Sequence, residues 1–307
     1  MTKLYILTGF LGAGKTTFML KMMEQLKDHK LGIIQNESGK VGVDGARLRK
    51  DAVEMIELNN GSIFCSCHKN GFVTTLATMA KRNFEYLLVE STGIGDPSNV
   101  NEIVKKANEA AEGCIDFKGV ICIVDAVNFM WQLAKHEEAM RQVKHCHMAL
   151  ISKADLVPQG TAELETAIRG INPLCPISHV TNGEMDMSFL DEDLLQYNFA
   201  EAEESINSKD NRPKTVFINV KQPVDKKEFM AFLKAVGPKV LRVKGFTDIK
   251  DSGICQVDVV GKVMAIRPTE LSEQAQLVFI SANGLQVIKD VFTAWKENVS
   301  TPMEIKN

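Results

Sequence analysis

The chain has 307 residues, 45% hydrophobic and 24% charged, with a formal net charge of −3. That length suits one large domain or two ordinary ones, and the balance is that of a soluble globular protein. With no basic excess, and no basic stripe interleaved with aromatics, nucleic acid is excluded as an expected partner.

The first apolar run, LYIL, reads as a strand. It leads into GFLGAGKTT at 9–17, which matches G-x-x-x-x-G-K-[ST] at Gly9, Gly14, Lys15 and Thr16. A helical pattern, TFMLKMMEQLKDH, follows. Strand, glycine loop and helix in that order are the setting in which this motif holds nucleotide phosphates. The glycines let backbone N–H groups turn toward phosphate oxygens. Lys15 neutralises the β- and γ-phosphates, the Thr16 hydroxyl holds Mg²⁺, and the helix N-terminus adds positive potential. The expected phosphate-binding positions are Gly9, Gly12, Ala13, Gly14, Lys15, Thr16 and Thr17. The same glycines and Lys15 break the apolar start before it reaches signal or membrane-spanning length, so no membrane partner is expected.

GIIQN and VEMIEL read as further buried strands. SIFCSCHKNG at 62–71 then places Cys65, Cys67 and His68 within four positions. Three uses are open. A Cys65–Cys67 disulfide closes a very small, strained ring. The two cysteines can pack as small buried hydrophobes. Two thiolates and an imidazole can make three ligands of a metal site whose fourth position is open, and this last use is carried forward. The chain's seven cysteines are odd in number and irregularly spaced. That pattern suits reduced thiols in a cytoplasmic protein better than a disulfide framework.

In YLLVESTG, Glu90 ends an apolar strand where a nucleotidase needs a carboxylate to organise Mg²⁺ and its waters; the alternative is a strand-end side chain facing solvent. Gly93 can bring its backbone to the γ-phosphate. PSNVNEIVKKANEAAE is helical, and GVICIVDA is a strand ending at Asp125, to which no chemistry is assigned. KHCHM at 144–148 is read as a structural strand entrance, with His145 and His147 on one face and Cys146 on the other. ALISKADL resembles the guanine-reading N-K-x-D element. Asp155 accepts hydrogen bonds from guanine N1 and N2, and Lys153 lays its stem over the base. Ser152 stands where the asparagine is usual, so one fixing contact is weakened or moved. The helical AELETAIRGI follows. Continuous apolar strands alternating with helices imply an α/β domain with a mostly parallel sheet over 1–183.

Residues 184–211 are acidic and read as a partly helical linker that holds no His or Cys. From 212 to 307 a strand, a helix, further β-runs (VLRVKGFT, ICQVDVVGKVMAIRP, AQLVFISA) and a last helix, GLQVIKDVFTAW, form a smaller α+β domain.

Taken together, GFLGAGKTT, NESGKVGVDG, ELNNGSIFCSCH, LLVESTGIGDP and SKADL resemble the CobW-type P-loop GTPases, which are grouped with the nickel-insertion GTPases. VLRVKGF and QLVFIS resemble that family's second domain. The resemblance implies GTP hydrolysis through Lys15, Thr16 and Glu90, with Mg²⁺. It also implies binding of a transition metal, Zn²⁺ or Co²⁺, for an unidentified client protein, in a chain that can form a homo-oligomer. Family members carry Cys-x-Cys-Cys; here His68 replaces the last cysteine, which shifts metal preference more readily than it abolishes binding. Glu37 resembles the family's switch-region glutamate and is the candidate fourth ligand, or faces Mg²⁺. The alternative function is a nucleotide-switched regulator or corrinoid-protein accessory factor in which hydrolysis is incidental. A phosphotransferase ranks lower, because no acceptor signature or lid with paired arginines is visible.

Overall fold

The structure is a computed structural model that describes all residues except 37–52, 59–61, 66–67, 181–185, 209–212, 262, 270–274 and 307. The chain folds as two units, divided in sequence between residues 210 and 211. The proposed 1–183, 184–211 and 212–307 organisation differs from this division at its middle segment, as described below.

The first unit is built on a seven-stranded sheet. Its strands are β1 (Thr2–Thr8), β2 (Leu31–Asn36), β3 (Val53–Leu58), β4 (Tyr86–Glu90), β5 (Ile115–Asp125), β6 (Met148–Ser152) and β7 (Ile177–His179). Their spatial order is β3-β2-β4-β1-β5-β6-β7, and every pairing is parallel. Helices α1 (Lys15–Gln25), α2 (Lys69–Ala80), α3 (Val100–Ala110), α4 (Phe129–Lys135), α5 (Glu137–Lys144) and α6 (Ala162–Ile171) make the connections. The inner strands carry continuous buried apolar runs, Leu4–Leu7, Leu87–Val89 and Val120–Val124, because helices bury both faces of a parallel sheet. Tyr5, Leu7, Ile33, Leu88, Ile121, Ile123 and Leu150 meet Phe18, Met19 and Met22 of α1 in one core. The methionines of FMLKMMEQL therefore serve packing, as their helical spacing suggests.

The crossing order puts β1 between β4 and β5. The loops after these three strands, and after β2 and β6, leave the sheet at its carboxyl end, where α/β folds place their ligands.

The described part of the segment expected to be a linker belongs to the first unit. Short 3₁₀ turns occupy Ser188–Asp191 and Leu194–Tyr197. Phe189 and Leu190 are buried, and Leu194 is nearly inaccessible. Residues 203–207 bond to the loop after β4. The acidic composition concealed this, because its apolar residues are few, although one of its carboxylates, Glu203, pairs with Arg141 and Lys144 of α5.

The second unit has a six-stranded antiparallel sheet. It comprises β8 (Lys214–Val220), β9 (Arg242–Ile249), β10 (Gly253–Val260), β11 (Val263–Pro268), β12 (Gln276–Ser281) and β13 (Met303–Lys306), in the order β11-β10-β9-β12-β8-β13. The run ICQVDVVGKVMAIRP is thus a hairpin of β10 and β11 that turns at Gly261, which has φ +56°. Helices α7 (Lys226–Val236) and α8 (Gln286–Asn298) cover the sheet, with Phe232 and Trp295 edge to face at 4.8 Å. Asp225 caps α7 by accepting from the backbone N–H groups of Lys227 and Glu228. Among the described residues, no helix is long and apolar enough to cross a membrane.

Candidate functional site

The glycine loop sits between β1 and α1. Gly9, Gly12 and Gly14 adopt φ of +134°, +76° and +100°, a region that side chains disfavour. Gly9 is also fixed by space, since a Cβ there would lie 2.3 Å from the Ile123 carbonyl oxygen. The loop backbone is therefore held in a shape that only glycine permits, with its N–H groups at the start of α1. The Lys15 ammonium donates to the carbonyls of Gly9 and Phe10, at 2.8 and 3.2 Å, and so curls back over the loop. A lysine held over a rigid concave backbone at a helix start fits a bound polyphosphate.

Glu90 ends β4 in register with Leu7 of β1 and Gln35 of β2. It is buried, not turned to solvent. Thr16 donates to Glu90 Oε1 at 2.7 Å, and Gln35 Nε2 donates to Oε2 at 3.1 Å. A hydroxyl and a buried carboxylate facing each other beside the phosphate loop suit Mg²⁺, which prefers oxygen ligands and retained water. Gly93 follows; a Cβ on it would fall 2.8 Å from Leu11 Cα. The loop after β4 thus lies directly on the phosphate loop. Thr17 is exposed on α1.

Ser152 ends β6. Its hydroxyl donates to the Ala13 carbonyl at 2.7 Å. The contact expected to be weakened or moved is therefore made by a serine directly to the phosphate loop. Lys153 adopts a left-handed conformation, φ +58°. Its ammonium meets Gly12 O and Asp125 Oδ2, both at 2.8 Å. Asp125 is fully buried and also accepts from the Val127 N–H and the Asn128 amide. It had no assigned role; it anchors Lys153. Asp155 stands exposed on a single 3₁₀ turn, Ala154–Leu156.

The cysteine motif begins as a turn. Cys65 N–H donates to Ser62 O, and the N–H groups of His68 and Lys69 return to Cys65 O at 2.9 and 3.0 Å. His68 is the N-cap of α2. Cys65 is buried, and its sulfur is in a disulfide here. A metal needs the thiolate, so metal binding at Cys65 requires the reduced form. Cys67 and Glu37 lie outside the described residues. Thiolate and imidazole are a donor pair suited to zinc or cobalt.

Three buried asparagines hold this turn. Asn36, at the end of β2, accepts from the N–H groups of Ile63 and Thr92. Asn99 donates to Phe64 O. Asn207 accepts from the Ser62 hydroxyl and the Asp96 N–H, both at 2.8 Å, and donates to Ile94 O. The sequence offered no signal for them beyond polar residues at strand and helix ends.

Near the exit of α5, Asp96 is fully buried and accepts from Arg141 Nε at 2.9 Å. Arg141 also bonds Glu203 and the Glu204 carbonyl. His145, Cys146, His147 and Met148 of KHCHM are buried: His147 Nδ1 accepts from Val120 N–H, and the Cys146 and Cys175 sulfurs lie 3.5 Å apart. Burial holds the imidazoles of His136, His145 and His147 below their ordinary range, His147 at about 4. It also pushes the Cys146 thiol upward, while the Cys175 thiol is raised first by its hydrogen bond with Cys146 and then by burial. Among the described residues, no group of three or more His, Cys, Asp or Glu side chains could hold a metal ion.

The family described as "CobW/HypB/UreG, nucleotide-binding domain" matches residues 3–179, and "Cobalamin synthesis protein cobW C-terminal domain" matches 214–291. The zinc chaperone YjiA of Escherichia coli is 30% identical over 256 residues, covering 78% of this chain and 80% of that protein. A zinc-regulated GTPase metalloprotein activator of Schizosaccharomyces pombe is 27% identical, covering 59% of this chain and 46% of that one. The crystal structure of Zn(II)-bound YjiA GTPase from E. coli is 22% identical, with a TM-score of 0.48, over 97% of this chain and 98% of that one.

Proposed function

This chain belongs to the CobW/HypB/UreG family and is a GTPase; from that premise we propose that it couples its nucleotide state to binding and delivering a transition metal, zinc or cobalt, to a client protein or cofactor pathway. The observation that carries this reading is Asn36. Its one carboxamide oxygen takes the N–H of Ile63 in the cysteine turn and the N–H of Thr92 in the loop beside the phosphates. The names of the relatives, zinc chaperones and a zinc-regulated activator, point to the same cargo.

In this reading the loop at Gly9–Thr16 binds the phosphates, and Lys15 leaves its carbonyl partners for the β- and γ-oxygens. Thr16 and Glu90 hold Mg²⁺, which supplies positive charge to the phosphates when bound. Lys153, steadied by Asp125, and Asp155 select guanine. The chain's own contribution to hydrolysis is electrostatic and positional, through Lys15 and the backbone of Gly93. Among the described residues, no side chain near Glu90 is placed as a strong base. Slow turnover suits a switch. Cys65, Cys67 and His68 supply metal ligands, with Glu37 as the fourth.

Linkage between two sites is reciprocal, so GTP must change metal affinity by the factor by which metal changes GTP affinity. The test is a Zn²⁺ and Co²⁺ titration of the reduced protein against a chromophoric competitor. It is run without nucleotide, with Mg-GDP and with a non-hydrolysable GTP analogue. The expected result is cobalt–thiolate absorption and a nucleotide-dependent shift of roughly tenfold, about 1.4 kcal/mol. Absence of thiolate absorption in every state would overturn the metal site. Tight binding indifferent to nucleotide would overturn the coupling.

A further inference from the structure

We infer that Asn207 is a positioning residue through which the loop after β4 and the cysteine turn move as one body. The inference rests on the metal-coupling reading for its meaning but on separate contacts for its geometry. Three contacts meet on one carboxamide. Its oxygen accepts the Ser62 hydroxyl and the Asp96 N–H, and its nitrogen donates to Ile94 O. Ser62 begins the turn that carries Cys65, and its hydroxyl also accepts from the Phe64 N–H. Ile94 and Asp96 flank Gly95, just beyond Gly93, where the loop rests on Leu11 of the phosphate loop.

Asn207 is far in sequence from everything it joins, and it is held there. The Ile206 N–H donates to Asp96 Oδ2, and Ser205 donates to Asp96 O. Arg141 grips Asp96, Glu203 and the Glu204 carbonyl together, while Gln142 donates to Gly93 O and Gly95 O. Every polar atom of the Asn207 carboxamide is used, in a site nearly closed to water. A buried hydrogen-bonded network of this kind has two discrete states, made or broken, rather than a continuum. A shift of the 92–96 loop on γ-phosphate binding therefore pulls on Ser62 and on residues 203–207 at once.

Asn36 makes the parallel connection from the other side of the turn. Asn207 differs in also fixing the exit segment.

The test uses the full chain, metal-free, under reducing conditions. Hydrogen–deuterium exchange of peptides covering 62–65 and 203–208 is compared with Mg-GDP and with the GTP analogue. In the wild type both peptides are expected to change protection together. In Asn207→Ala and Ser62→Ala the nucleotide difference at 62–65 is reduced, the Asn36 connection remaining, while nucleotide affinity stays within about twofold. Ser62→Thr, which keeps the hydroxyl, restores it. In the zinc titration the roughly tenfold nucleotide ratio falls in the two alanine variants, with zinc still bound. If Asn207→Ala does not fold, Ser62→Ala carries the test alone. A nucleotide-dependent exchange difference at 62–65 that is undiminished in Ser62→Ala would overturn the role of Asn207. So would residues 203–208 that ignore nucleotide in the wild type. Failure of the metal reading looks different: the exchange pattern persists and zinc affinity ignores nucleotide.

Discussion

The Ser152 hydroxyl donates to the Ala13 carbonyl at 2.7 Å, tying the loop after β6, proposed to read the base, to the glycine loop after β1. The bond acts on the loop rather than on the ligand, so it serves both guanine nucleotides alike. Ser152→Ala is expected to weaken GDP and GTP binding equally, by about 1 kcal/mol or roughly fivefold in Kd. Fluorescent-nucleotide titration measures both. A loss confined to GTP would show that Ser152 acts through the γ-phosphate instead.

In the proposed reading the Asp155 carboxylate accepts from two ring-edge donors of guanine. Asparagine replaces one acceptor with a donor. Asp155→Asn is expected to lose roughly 10- to 100-fold in GTP affinity, the worth of a charge-assisted hydrogen bond. Xanthosine triphosphate carries a carbonyl where guanine has its amino group, so the variant should favour it. Competition binding with the two nucleotides reads the exchange. An unaltered preference would remove Asp155 from the base site.

Glu90 is buried and bonded to Thr16 and Gln35, so Glu90→Gln keeps shape and removes charge. GTP hydrolysis should fall on the order of 10²-fold, as when one electrostatic stabiliser is removed from a phosphoryl- or acyl-transfer site. GTP binding should persist, with a higher Mg²⁺ requirement. Phosphate release at saturating GTP across a magnesium series tests this. Hydrolysis at the wild-type rate would contradict the assignment of Glu90 to magnesium.

His147 is nearly inaccessible, and burial lowers it from 6.5 to about 4. The unfolded chain takes up its proton near pH 6.5 and the native chain only near pH 4. Its contribution is therefore fully present above pH 6.5 and is lost as the pH falls toward 4, to a total of about 3 kcal/mol. His136 and His145 are lowered by burial in the same direction. Urea midpoints should drop between pH 7 and 4.5. His147→Asn, whose side-chain oxygen can take the Val120 N–H, should flatten that drop. An identical slope in the variant would place the acid sensitivity elsewhere.

The local parts of the site were legible in the sequence. The phosphate loop is a contiguous motif between a strand and a helix, and Glu90 is a strand-end acid; each needs only its neighbours to be recognised. The contacts that organise the site were not legible, because they join residues far apart in the chain. Asp125 reaches Lys153, Arg141 reaches Asp96, and Asn207 reaches Ser62. An asparagine's type does not say which distant carbonyl it will find. Helix α2 shows another limit. KNGFVTTLATMA has a glycine, a valine and three threonines, all poor helix formers. Packing of Phe72, Leu76 and Met79 overrides them. Thr74, Thr75 and Thr78 return their hydroxyls to carbonyls one turn back.

The buried pair of Asp96 and Arg141 also decides where the first unit can be cut. A fragment ending at 183, where the composition changes, would strip the Ile206 N–H from the Asp96 carboxylate and Glu203 and the Glu204 carbonyl from Arg141. It would leave two closely held charges with half their partners, and such groups are costly when under-satisfied. The shortest fragment that retains the fold's own polar closure runs through residue 208. Its acidic tail, though it reads as a spacer, is the last piece of the GTPase to be synthesised and the one that seals it.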